Sequence, residues 1–74
     1  MAHKTTLYEM LKLGYTVEFP SGYKLKGDPQ NGYIDLTTPN GPDGLESLTL
    51  IGVDNAIEHE KKWREDNAWN QQTK

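Results

Sequence analysis

Few residues in this 74-residue chain carry groups that do chemistry, and fewer stand at a working spacing. There is no cysteine, which removes a thiol nucleophile, a thiolate metal site and a disulfide together. Of the two histidines, His3 lies in Met1-Ala2-His3-Lys4-Thr5-Thr6 and has no chemistry-bearing neighbour. His59 stands between Glu58 and Glu60. On a helix a metal-binding partner belongs four residues away, and those positions are Asn55 and Trp63, so a solvated charged face is the expectation. Nucleophilic catalysis needs a hydroxyl held against a base with a third group orienting it. Ser21 falls in a turn and Ser47 in a segment of ambiguous structure, neither in the context of a nucleophile elbow. Glu18 and Asp35 share one strip of alternating residues, but Lys24 lies between them and neutralises the pair. No catalytic residue, metal ligand or cofactor site is expected, and the chain reads as a non-enzyme.

Glycine-rich segments fare no better. Gly27-Asp28-Pro29-Gln30-Asn31-Gly32 leads into a strand, whereas a phosphate cradle must open onto a helix N-terminus. Asn40-Gly41-Pro42-Asp43-Gly44 lacks the Lys and Ser/Thr that such a loop needs.

Binding is the remaining class. Trp69 is the odd residue, because it sits in an otherwise polar stretch, 64–74, with no evident internal berth. Tryptophan buries a large area at low entropic cost, which makes it a typical interface anchor. The candidate protein-binding residues are therefore Trp69 with Trp63, Arg64, Glu65 and Asp66. A second candidate set is Lys24, Lys26 and Tyr33, with Lys12 as a further member, in the pattern of single-stranded nucleic-acid binding. One exposed ring is not a stacking platform. The charge also points the other way: residues 1–37 balance four lysines against four acids, while residues 38–74 set four bases against seven acids and carry the whole net charge of −3. A nucleic-acid binder shows a basic footprint, so nucleic acid ranks below protein as a partner.

The elements that position these residues are legible in the pattern. Thr6-x-x-Glu9 has the form of a capping box, and Leu7, Met10, Leu11 and Gly14 make one helical stripe, which predicts a helix over about 6–13. From Tyr15 to Thr37 polar and apolar residues alternate through two turns. The alternation predicts a three-stranded antiparallel meander over about 15–19, 23–26 and 33–37. Val17, Phe19, Tyr23, Leu25, Ile34 and Leu36 fall on one face, and Glu18, Lys24 and Asp35 on the other. Pro20-Ser21-Gly22 is a three-residue hairpin loop that sets Phe19 opposite Tyr23, Glu18 opposite Lys24 and Val17 opposite Leu25. Across the second turn the expected pairs are Lys26 with Tyr33, Leu25 with Ile34, Lys24 with Asp35 and Tyr23 with Leu36.

Residues 37–44 are all turn-formers and read as a connecting loop. Leu48 and Leu50 alternate with Ser47 and Thr49, which favours a fourth strand over about 46–51, although Leu45, Leu48 and Gly52 also fit a helical turn. A long C-terminal helix is expected over about 55–69, capped by Asp54 or Asn55, with Glu58–Lys62 and Glu60–Arg64 pairs on its surface. Ala56, Ile57 and Trp63 form its apolar face. Residues 1–4 and 70–74 are expected to be disordered.

The fold class is thus α+β, one small domain spanning 1–74. The longest apolar run is far too short for a membrane span, and the N-terminal residues lack a signal peptide's apolar core. The absence of cysteine fits a reducing compartment, so a cytoplasmic setting is expected. Small, acidic, cysteine-free chains of this kind include regulators and inhibitors from phages and mobile elements. The expected function is a non-enzymatic protein-interaction module acting on an unidentified protein or through self-association. Nucleic-acid binding and a homo-oligomerising structural role are the alternatives.

Overall fold

The computed structural model describes the backbone of residues 4–72 and the side chains of residues 5–67. The element order is α1 (Lys4–Lys12), β1 (Thr16–Glu18), β2 (Lys24–Asp28), β3 (Tyr33–Thr38), β4 (Gly41–Ser47) and α2 (Leu50–Gln72). The four strands form one antiparallel sheet in sequence order. Both helices lie on one face of it, so the chain is an α+β two-layer domain with the other face bare.

Helix α1 forms because Leu7 and Leu11, four residues apart, both bury against the sheet. It already includes Lys4, so Thr6 lies inside the first turns instead of capping them, which corrects the capping-box expectation. Its other end follows the expected chemistry. Gly14 takes φ 88°, its N–H donates to Leu11 O, and the Tyr15 N–H donates to Met10 O, the paired bonds of a Schellman stop.

The first hairpin has the expected register: Glu18 faces Lys24 and Val17 faces Leu25, with the Phe19 N–H donating to Tyr23 O at 2.8 Å. The second slips by two residues from the expectation. Leu25 faces Leu36, Lys26 faces Asp35, Gly27 faces Ile34 and Asp28 faces Tyr33. The reason is Gly27, which is a strand residue and not part of the turn. A Cβ there would stand 1.8 Å from the Leu11 carbonyl oxygen, so this glycine lets the end of α1 lie directly on β2. Because the slip is even, every side chain keeps its face. Tyr23, Leu25, Ile34 and Leu36 are buried, Val17 and Phe19 pack beside them, and Glu18, Lys24 and Asp35 are exposed on the bare face.

The larger correction concerns residues 37–53. Only residues 39–40 form the turn after β3, where the Asn40 N–H donates to Thr38 Oγ1 and that hydroxyl donates to Gly41 O. The fourth strand then covers Gly41–Ser47, beginning within the segment expected to be a loop and overlapping the expected 46–51 only at residues 46–47. A bulge opposite Leu36 and Thr37 absorbs the irregularity, and Pro42 is tolerated because β4 is an edge strand. Helix α2 starts at Leu50, with Thr49 as its cap: Thr49 Oγ1 accepts the Gly52 N–H at 2.9 Å. Asp54 and Asn55 are therefore helix residues and not the cap. Val53 and Ala56 complete the core, with Ile57 and Trp63 packed at its margin. The ends expected to be disordered, 1–4 and 70–74, fall outside the described residues, save for helical backbone at 4 and 70–72.

Candidate functional site

Most of the polar chemistry in the fold gathers along the seam between β4 and α2. Tyr23, immediately before β2, is fully buried, and its hydroxyl donates to Asp43 Oδ2 on β4. Burial pushes the phenol well above its usual pKa, and the hydrogen bond and charge of Asp43 push it the same way, with smaller contributions from Glu60 and Glu46. His59 of α2 lies across from the same strand. Its Nε2 is 3.1 Å from Glu46 Oε2, and its Nδ1 is 3.8 Å from Asp43 Oδ2. Asn55 Nδ2 donates to the other Glu46 oxygen at 3.3 Å. Glu46, Asn55, Glu58, His59 and Lys62 line a shallow groove of about 200 Å³.

The next residue of α2, Glu60, is buried and is satisfied from two sides. The Ser21 hydroxyl donates to its Oε2 at 2.8 Å, and Arg64 Nε lies 3.4 Å from the same oxygen. Ser21 thus faces a carboxylate and not His59, and both ring nitrogens of His59 face carboxylates. Among the described residues no group of three or more His, Asp or Glu side chains is arranged to hold a metal ion.

The protein-binding candidates divide. Trp63 is half-buried, its ring tilted against that of Tyr23 with centroids 6.2 Å apart, so it closes the end of the core. Arg64 is largely exposed while holding Glu60, and Glu65 and Asp66 are exposed. The side chain of Trp69 lies outside the described residues. Helix α2 runs on past Trp63 to Gln72, and no described residue after Trp63 joins the hydrophobic core. The nucleic-acid candidates come together on the bare sheet face: Lys24 and Lys26 alternate on β2, and Tyr33 opens β3 about half exposed. Acids interleave with them, Glu18 opposite Lys24 and Asp35 opposite Lys26. Lys12 is elsewhere, on α1, with its Nζ 5.0 Å over the Tyr8 ring.

Residue patterns did not reveal the Tyr23–Asp43–His59–Glu46 cluster or the burial of Glu60. Helical spacing offers His59 partners only along its own helix, whereas Asp43 stands in a segment that reads as a loop and Glu46 at the start of the expected fourth strand. Glu60 carried a signal in its place between Ile57 and Trp63 on the apolar stripe.

No protein-family model matches the chain, and no curated protein or solved structure is significantly similar to it. Among the described residues no helix is long and apolar enough to cross a membrane.

Proposed function

We propose that the chain is a non-enzymatic protein-interaction module, a small regulator or inhibitor that contacts another protein through the part of α2 beyond Trp63. The observation that carries this reading is the length of α2. Its 23 residues extend about 34 Å, while the longest strand, seven residues, covers only about 23 Å. The helix therefore outruns the layer that buries it. A helical stretch of two or three turns is marginal in water on its own, so a surface that covers it stabilises it. Arg64, Glu65, Asp66 and Trp69 belong to this stretch and are the proposed contact residues, while Trp63 anchors the helix to the core. The cysteine-free composition supports a cytoplasmic setting.

Trp69→Ala, with Trp63 kept, tests the reading. Circular dichroism and the melting curve should not change, and capture of the partner by the immobilised chain should fall. Undiminished capture would remove Trp69 from the contact.

One observation favours a second reading, nucleic-acid binding: Lys24, Lys26 and Tyr33 share the bare face. It requires binding to mixed oligonucleotides that weakens steeply with added salt. Absence of binding at low salt would eliminate it.

A further inference from the structure

Four asparagines have described side chains, and three of their carboxamides are engaged. Asn31 Nδ2 donates to Asp28 Oδ2 at 2.9 Å, Asn55 Nδ2 to Glu46 Oε1 at 3.3 Å, and Asn67 Nδ2 to the Trp63 carbonyl oxygen at 2.7 Å. Asn55 and Asn67 are also held in helical backbone. Asn40 is the exception. It is exposed in the turn between β3 and β4, where its backbone N–H is held by Thr38 Oγ1 at 3.0 Å. Its carboxamide, alone among the described ones, makes no hydrogen bond. Gly41 follows it at φ 140°, where a Cβ would meet nothing within 4 Å. This glycine pairs with Thr38 at the very end of the ladder, the part of a sheet that opens most readily.

That combination has a chemistry of its own. A free carboxamide carbon is a weak electrophile, and the backbone nitrogen of the next residue can close a five-membered ring onto it. A side chain on that next residue hinders the approach, and glycine has none. We infer that Asn40–Gly41 is a site of spontaneous covalent modification, with water as its co-reactant. The Gly41 nitrogen loses its proton to solvent and attacks Asn40 Cγ. A C–N bond forms, the Cγ–Nδ2 bond breaks, and the carboxamide nitrogen takes up a proton and leaves as ammonia. Water then opens the imide at either carbonyl, which yields aspartate or an isoaspartyl residue whose chain runs through Cβ.

Asn31 also precedes a glycine, and the fold protects it. Its carboxamide must first leave Asp28, whose charge opposes the anion formed on attack, and the Gly32 N–H is bonded to Asp28 O at 2.8 Å. Breaking one bond to a charged group corresponds to a slowing of roughly tenfold. At Asn40 the product reaches the rest of the sheet. An isoaspartyl residue adds a methylene to a two-residue turn. The Thr38 hydroxyl spans that turn, accepting the Asn40 N–H and donating to Gly41 O at 3.1 Å, and a longer chain separates the two groups. Pro39 rests against the first hairpin, since a Cβ on Gly22 would stand 2.8 Å from its Cγ. Asp43, which holds the Tyr23 hydroxyl, comes two residues after Gly41. Modification therefore loosens the start of β4 and the seam it makes with α2. The inference does not rest on the function proposed for the end of that helix.

Incubation of the whole chain in mildly alkaline buffer, followed by electron-transfer fragmentation in a mass spectrometer, tests it. Amide-to-acid conversion should appear first at Asn40, with Asn31 slower by roughly tenfold. In urea the two rates should converge, because Asp28 no longer holds Asn31. Asp28→Ala should speed conversion at Asn31 in the folded chain. Asn40→Gln should remove the fast conversion and leave circular dichroism unchanged. In the isoaspartyl form, hydrogen exchange should quicken across 41–44 and stay as it was in α1. Conversion at Asn40 that is absent, or no faster than at Asn31, would overturn the inference. So would exchange across 41–44 that the isoaspartyl residue leaves unaltered.

Discussion

Tyr23→Phe removes one oxygen from the centre of the structure and leaves the packing of the ring untouched. The lost group is a buried hydroxyl that donates to the Asp43 carboxylate. Hydrogen bonds to charged partners contribute about 1.5–3 kcal/mol. Here the lower part of that range applies, because the Asp43 side chain is 37% exposed and water can replace the missing donor. A loss of about 1.5 kcal/mol should lower the melting temperature of a domain of this size by roughly 6–12 °C.

The pH dependence supplies a second signature. Since folding raises the phenol's pKa, the neutral form is the one the fold favours. Its contribution is whole below the unfolded phenol's value of about 10 and is lost as the pH rises above it. Urea unfolding followed by circular dichroism should therefore show the parent more stable than Tyr23→Phe at neutral pH, with the gap closing under alkaline conditions. Equal midpoints at neutral pH, or a gap unchanged far above pH 10, would refute the assignment of the hydroxyl to Asp43.

Further substitutions at Gly27 and Thr49, with Gly32 as a control, probe how the helices are seated. In Gly27→Ala the new Cβ meets the Leu11 carbonyl oxygen, backbone that cannot yield as a side chain would, so the cost should reach about 3 kcal/mol or more and unfold much of the protein at room temperature. Gly32→Ala is the contrast: φ is 77° and the space is open, so only the left-handed strain of about 1–2 kcal/mol should appear in thermal melts. Thr49→Ala should cost about 1 kcal/mol by removing the cap from α2, and Thr49→Ser should recover most of it. Equal melting temperatures for Thr49→Ala and the parent would show that the cap contributes nothing.

What the chain's pattern revealed, and what it hid, divides along physical lines. The alternation from Tyr15 to Thr37 reported the buried face correctly, because period-two burial is written locally and survives an even slip in register. The slip itself was not legible. Gly27 signals a turn to any local reading, and only the docked backbone of α1 shows that it answers a close approach. Residues 41–45 hid their part of the fourth strand for a related reason. As an edge strand, β4 needs little apolar alternation, tolerates Pro42, and is held by its ladder to β3. Gly52, Asp54 and Asn55 obscured the start of α2, since Gly52 again marks a close approach, here to Ser47. The displaced strand also hid the site: Asp43 falls in the segment that reads as a loop and Glu46 opens the expected fourth strand, so nothing in the pattern links them to His59 or Tyr23. Trp63, on the apolar face of α2, packs its ring against Tyr23 at the margin of the core, and the stretch after it is left to make the proposed contact.

That contact is the account's central claim, and site-specific photocrosslinking in cells tests it most directly. A photoreactive residue is placed at Glu65 on the distal half of α2 or, in a parallel sample, at Lys24 on the bare sheet face. Both positions are exposed, so neither substitution should disturb the fold. The account predicts a discrete protein adduct from position 65, absent from position 24 and lost in the Trp69→Ala background. An adduct only from position 24, or one from position 65 that persists without Trp69, would contradict it.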